Sequence, residues 1–193
     1  MLIYSKTLKR DIISLKKWKK DKKLEDVEVY FVMRKMVLSV LVGNTSGVLN
    51  RVAGLFSRRG YNIDSLTVGE TENPAFSRMT IVVHGEDEIL EQIEKQISKL
   101  VDVKEITELK DGSSVCRELI LVKVAANAEH RQQIIAIADV FRAKIVDVAP
   151  ESLMVELTGN QAKLDAFIGL LGGFKILELV RTGITGLTRG IED

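Results

Sequence analysis

"MVLSVLVGNTSGVLNRVAGLFSRRG", residues 36–60, decides the fold. Its opening "MVLSVLV" (36–42) is a nearly continuous apolar run, the pattern of a strand inside a sheet. From Gly47 the period changes. Val48, Leu49, Val52, Leu55 and Phe56 recur at helical spacing, while Asn50, Arg51, Ser57, Arg58 and Arg59 take the opposite, solvent-facing side. Gly60 stops the helix, as glycine does where the chain turns left-handed. Between strand and helix lies only "GNTSG" (43–47), a short polar loop bracketed by glycines.

Working outward, "NIDSLTVG" (62–69) reads as a second strand, "ENPAF" (72–76) as a loop and "SRMTIVVHG" (77–85) as a third strand. "EDEILEQIEKQISKL" (86–100) is an amphipathic helix with one apolar stripe through Ile89, Leu90, Ile93, Ile97 and Leu100. Acids crowd its first turn and Lys99 sits in its last, as the helix dipole favours. "VDVKEITEL" (101–109) closes the unit as a fourth strand, and "KDGSS" (110–114) is a polar linker. The order β-α-β-β-α-β is the split βαβ, or ferredoxin-like, motif. It then repeats: strand 117–127, a helix marked by Ile134, Ala138 and Phe141, strands 144–149 and 152–159, a helix striped by Leu164, Phe167, Ile168 and Leu171, and a last strand 175–183. "LSVLVGN" is echoed by "LVKVAAN" and "VDVKEI" by "FKILEL", so the halves read as a duplication. The expected fold is therefore α+β, two consecutive ferredoxin-like (βαββαβ) domains.

Composition narrows the function. The chain has 193 residues, 46% of them hydrophobic, which suffices for sizeable cores. Formal net charge is +1, unevenly spread: residues 6–23 carry nine Lys or Arg against two Asp, whereas residues 34–193 carry 19 basic against 22 acidic residues. The body lacks the basic field that nucleic acids require. RNA-binding domains on such a sheet display aromatics on their central strands, and "SRMTIVVHG" has none. No nucleic-acid partner is expected. Cys116 is the only cysteine, so no internal disulfide forms. No apolar run reaches the roughly 18 residues of a membrane span, and no secretory signal opens the chain. A cytoplasmic protein without a membrane partner is the expectation.

The loop is the one feature with chemistry in it. Gly43 and Gly47 allow a sharp turn, and the first N–H groups of the following helix lack internal partners, so a carboxylate or phosphate is attracted there. Asn44 adds an amide, and Asn62, at the head of the second strand, a second one expected near the loop. A Walker-type loop would need a Lys after its second glycine, where Val48 stands. Two amides and backbone donors suit a zwitterion. Spacing alone fits an ordinary cap and turn more readily than a ligand site. The second copy has "ANAEH" (126–130) there, without glycines and with an acid. His84, His130 and Cys116 fall in different elements with no triad or metal spacing, so no catalytic or metal residue is assigned.

Residues 34–190 resemble the regulatory, small subunits of acetolactate synthase (acetohydroxyacid synthase). The resemblance rests on "SGVLNRVAGLFSRRGYNI", "SRMTI", "LEQIEKQISKLVDV", "ELILVKV", "KLDAFIGLL" and "RTGITGLTRG". It implies that residues 34–110 are an ACT domain, a small-molecule sensor of amino-acid metabolism, and residues 111–193 a second, ACT-like domain. It implies a homodimer through the ACT domains, with the feedback inhibitor valine held at their interface. The catalytic large subunit, the implied partner, holds thiamine diphosphate, Mg and FAD; this chain needs no cofactor and is non-catalytic alone. Carried over by position, the valine site is Asn44, Thr45, Ser46, Gly47 and Val48, with Asn62 and Ile63 supplied by the partner subunit and Thr67 and Gly69 bordering the side-chain pocket. The sequence departs from the enterobacterial pattern at Gly43, where an acidic residue is common. An ACT-domain sensor of another enzyme is the alternative. Residues 1–33 fall outside the resemblance. Leu8, Ile12, Leu15 and Trp18 would share one face of a basic helix there, suited to a membrane surface or an acidic partner. Because Met33-Arg34-Lys35 resembles the usual start of the family, a solvated helix or an upstream stretch not normally translated is the favoured expectation.

Overall fold

A computed structural model describes residues 33–190. The expected basic helix through Leu8 and Trp18 lies outside them. Strand β1 (Arg34–Gly43) is the axis of the first half. Successive side chains of a strand point to opposite faces, so Met36, Leu38, Val40 and Val42 share one face, and all four are buried. Helix α1 (Val48–Arg59) lays Val48, Val52, Leu55 and Phe56 on that face. Strands β2 (Ser65–Glu70) and β3 (Phe76–Gly85) follow. Helix α2 (Asp87–Ile97) adds Leu90, Ile93 and Ile97, and β4 (Val103–Glu108) completes the unit. These residues form one core with Met79, Ile81 and Val83. Each such side chain contributes about 1.5–3 kcal/mol on burial.

The sheet order is β2-β3-β1-β4, with every neighbouring pair antiparallel. Both inner strands are the apolar runs, and β2 is left at an edge. The second half repeats the plan. Strand β5 (Ser114–Ala125), helix α3 (Ala128–Phe141), strands β6 (Lys144–Ala149) and β7 (Ser152–Gly159), helix α4 (Gln161–Leu171) and strand β8 (Ile176–Arg181) give the order β6-β7-β5-β8. Its core gathers Ile120, Val122, Val124, Ile134, Leu153, Val155, Leu164 and Phe167. The α+β fold of two ferredoxin-like units is what the sequence pattern predicts.

Two differences have a common cause. Strand β5 starts at Ser114, inside the expected linker, and a further strand β9 (Thr185–Thr188) follows the one read as last. The two segments pair with each other, Ser114 opposite Thr188 and Arg117 opposite Thr185. Neither carries a strong local strand pattern; each becomes a strand only because the fold delivers its partner from some 70 positions away. Among the described residues, no helix is long and apolar enough to cross a membrane.

Candidate functional site

The loop between β1 and α1 leads into a helix whose start is electrostatically bare. Gly47 is the N-cap, at φ 87°, a left-handed conformation that side chains disfavour. No side chain caps α1, and no acid lies in its first turn. Each of the other three described helices has one compensation or the other. Asp87 and Glu88 open α2. The Asn127 side chain accepts from the His130 N–H at the head of α3, and that of Asn160 from the Lys163 N–H at the head of α4. The ordinary cap that spacing favoured is therefore not what "NTSG" forms. Thr45, Ser46 and Gly47 are exposed and Val48 is buried beneath them. The Val48 N–H makes a long 3.4 Å bond to the Thr45 carbonyl, and no side chain accepts from the first turn.

Asn44 is turned away from the helix. Its backbone N–H donates to the Ala75 carbonyl at 2.8 Å, and its side-chain Nδ2 donates to the Pro74 carbonyl at 2.9 Å and to Glu70 Oε2 at 3.2 Å. Both side-chain partners are acceptors only, so the amide nitrogen must face them and the amide oxygen is left for another donor. On the other flank, Gly43 N–H donates to the Asp102 carbonyl, and the Asp102 carboxylate binds Arg51 Nε at 2.6 Å. The Arg51 guanidinium holds the Asp102 carboxyl below the usual carboxylate range, and Asp102 in turn pushes the Arg51 side chain up from its ordinary value. Arg51 Nη1 would stand 3.0 Å from a Cβ placed on Gly47. The loop thus has a cation and a bare helix start on one side, and a carboxylate, Glu70, on the other.

Sequence reading missed Glu70, Arg51 and Asp102. Arg51 reads as one more polar residue on the solvent face of α1, and its partner lies 51 positions away with no local signal.

The remaining expected residues are not gathered at the loop within one chain. Asn62 and Ile63 follow the far end of α1, and the expectation that the head of the second strand lies near the loop is wrong. Strands β1 and β2 are joined by one helix and both pair antiparallel with β3, so they run parallel and begin at the same end. Gly43 is opposite Phe76 and Ser65 opposite Val82, which separates the two levels by six residues along β3, about 20 Å at strand rise. Asn62 is exposed and its Nδ2 donates to Asp64 Oδ1 at 2.7 Å, again leaving the amide oxygen free to accept. Ile63 packs against the first core. Thr67 and Gly69 project from the sheet face away from the helices, where Thr67 Oγ1 donates to the Ile184 carbonyl at 2.5 Å.

The histidines and the cysteine have ordinary places. His84 Nδ1 lies 2.5 Å from Asp64 Oδ2, His130 makes an edge contact with the Phe174 ring, and Cys116 is half-buried on β5. Among the described residues no group of three His, Cys, Asp or Glu is placed to hold a metal.

Comparison with known proteins gives the chain a family. Residues 38–105 match the AHAS small subunit-like ACT domain, and residues 117–190 match the family described as the small subunit of acetolactate synthase. The chain is 52% identical over 155 residues to the probable acetolactate synthase small subunit of Methanothermobacter thermautotrophicus, covering 80% of this chain and 92% of that one. It is 50% identical to the acetolactate synthase isozyme 3 small subunit of Escherichia coli over 155 residues, 80% of this chain and 95% of that one. The crystal structure of the acetolactate synthase small subunit from Thermotoga maritima superposes with a TM-score of 0.76 at 44% identity, covering 82% of this chain and 99% of that one. The chain belongs to the acetolactate synthase small-subunit family, with an ACT domain in its first half.

Proposed function

We propose that this chain is a non-catalytic regulator in the cytoplasm, which binds a branched-chain amino acid, valine foremost, and passes its presence to the catalytic large subunit as feedback inhibition. Without the amino acid it activates that partner. The large subunit, not this chain, would supply the thiamine diphosphate, Mg and FAD of the reaction. Residues 34–110 would be the sensing domain and residues 111–193 the second, ACT-like one.

The observation that carries the reading is the bare start of α1. A carboxylate there would accept from the Gly47 N–H and, in exchange for its long 3.4 Å bond to the Thr45 carbonyl, from the Val48 N–H, with Arg51 close by. The ligand's ammonium would donate to the free amide oxygen of Asn44, toward the Glu70 carboxylate. Thr45 and Ser46 would wall the loop.

A second copy would complete the site. Strand β2 is an edge strand with an exposed Val68, and α1 exposes Leu49. Two β2 edges paired antiparallel about a two-fold axis would lay the head of one strand beside the tail of the other. That arrangement brings Asn62 of the partner subunit and Ile63 of the partner subunit to the loop, which one chain alone cannot do. Thr67 and Gly69 would then border the side-chain pocket from the paired strands. A ligand that needs two copies favours one arrangement of them, and inhibition follows if that arrangement supports the large subunit less well. Tenfold inhibition corresponds to about 1.4 kcal/mol of coupling, within reach of a few hydrogen bonds of about 1 kcal/mol each.

The test is calorimetry of the full-length protein with valine, leucine and isoleucine, followed by assay with its large subunit. Valine binding at one site per pair of loops or per loop, with valine-dependent loss of acetolactate formation, is expected. Acetolactate formation by this chain alone, or no binding of any of the three, would overturn the reading.

A further inference from the structure

The short segment between β8 and β9, in "RTGITGLTRG", is fastened to both halves of the molecule. On the second half, Thr182 N–H donates to the Leu119 carbonyl at 3.0 Å, and the Thr182 hydroxyl accepts from Leu119 N–H at 3.1 Å. On the first half, Ile184 N–H donates to Ser65 Oγ at 3.1 Å and the Ile184 carbonyl accepts from Thr67 Oγ1 at 2.5 Å. Ser65 and Thr67 stand two apart on one face of β2, so the Ile184 peptide groups meet them much as a strand partner would, through side chains in place of backbone. Ile184 is buried in the joint. Gly183 has φ 86°, and a Cβ there would stand 2.3 Å from Ser65 Oγ, so glycine is demanded by conformation and by space together. Clefts of about 820 Å³ and 370 Å³ open on either side, each with Ile184 in its wall. Lys35 Nζ reaches Gln161 Oε1 across them at 2.6 Å.

We infer that the Thr182–Ile184 segment is the coupling link of this protein: through Ser65 and Thr67 it ties edge strand β2, which carries the partner-facing side of the effector site, to β5 of the second sheet. The inference rests on the proposed valine site and adds the route out of it. A shift of β2 when two copies close on a ligand moves the hydroxyls of Ser65 and Thr67. Ile184 must then follow or lose both hydrogen bonds, and Thr182 carries the displacement to Leu119. Ser65 and Gly183 are not among the expected ligand-site residues, although a Cβ on Gly183 would come 3.8 Å from Thr67 Cγ2; they act only as positioning residues.

The experiment separates binding from response. Gly183→Ala forces the segment off Ser65, and Ser65→Ala removes one hydroxyl without touching the backbone. Full-length wild type and both variants are titrated with valine by calorimetry, then assayed with the large subunit without valine and at saturating valine. The expected result is a valine Kd within about threefold of wild type, unchanged activation, and residual activity at saturating valine raised at least about twofold, as a lost coupling free energy with intact binding requires. Should Gly183→Ala not fold, Ser65→Ala decides alone. Inhibition to the wild-type end point with wild-type Kd would overturn the link. So would a Kd weakened more than about tenfold, which would make the segment part of the pocket instead. A wild type that binds no valine would overturn the proposed function and the link with it.

Discussion

The two halves of this molecule share a fold and differ at one loop. Where β1 meets α1 the chain reads Gly-Asn-Thr-Ser-Gly; where β5 meets α3 it reads Ala126-Asn127-Ala128-Glu129-His130. Both contain an asparagine after the strand, yet the two do opposite things. Asn127 folds back and caps its own helix, accepting from His130 N–H at 2.9 Å, with Glu129 in the first turn. Asn44 reaches away to the β2–β3 turn, and Gly47, with no side chain, takes the N-cap place. The second helix start is satisfied by its own sequence. The first has neither a side-chain cap nor an acid, and only a long 3.4 Å bond from Val48 N–H to the Thr45 carbonyl. On the proposed reading, the two halves share a scaffold and only the first of two equivalent positions takes a ligand.

Substitutions that erase this contrast are expected to act most strongly on the first loop. Gly47→Asp would give α1 the acid it lacks. The new side chain must also adopt φ 87° and enter the space 3.0 Å from Arg51 Nη1. We expect loss of the valine response, with binding weakened more than about a hundredfold from strain and like-charge repulsion together; a normal calorimetric titration would show that the helix start holds nothing. Asn44→Ala is the next largest. It removes the amide oxygen offered to the ligand and the bonds to Pro74 and Glu70, and should weaken valine about five- to tenfold while activation of the large subunit persists. Wild-type inhibition by valine would remove Asn44 from the site.

The sequence made the scaffold legible because its signals are local: the apolar run of β1, the stripes of α1 and α2, the alternation of 152–159. Legibility failed where a residue's role depends on a distant one. The strand character of Ser114–Arg117 and Thr185–Thr188 arises only from their mutual pairing. The bareness of α1 could not be read from "NTSG", because those residues cap helices elsewhere and here Asn44 is drawn off by Pro74 and Glu70 across the turn. The order of elements does not by itself say at which end of the sheet β2 begins, because that depends on strand direction. Parallel β1 and β2 start together, so within one chain Asn62 and the loop are separated by the length of α1.

On the second loop the same kind of truncation should be structural and nothing more. Asn127→Ala removes a cap from α3, so it should cost about 1 kcal/mol of stability and lower the melting midpoint by a few degrees. Valine binding should be unchanged; a weakened valine titration would mean that the two loops are not as different as their caps suggest.

The smallest effect belongs to the flank of the first loop. Asp102→Asn keeps the backbone carbonyl that receives Gly43 N–H but discharges the partner of Arg51. Because the Arg51 guanidinium depresses the Asp102 carboxyl in the folded state, the charged pair stabilises the fold at pH values above the unfolded carboxylate range near about 3.9. That contribution is lost as pH falls through the lower, folded value. Wild type and Asp102→Asn should therefore differ slightly in melting midpoint at neutral pH, by less than Asn127→Ala does, and the gap should close on acidification below that range. The side chains are partly exposed, so added salt should shrink the gap at neutral pH as well. A gap that persists at low pH would mean that Asp102 holds the loop by hydrogen-bond geometry alone. Arg51 would then owe its position to packing beside Gly47, and its charge would be free to meet a ligand's carboxylate without competition.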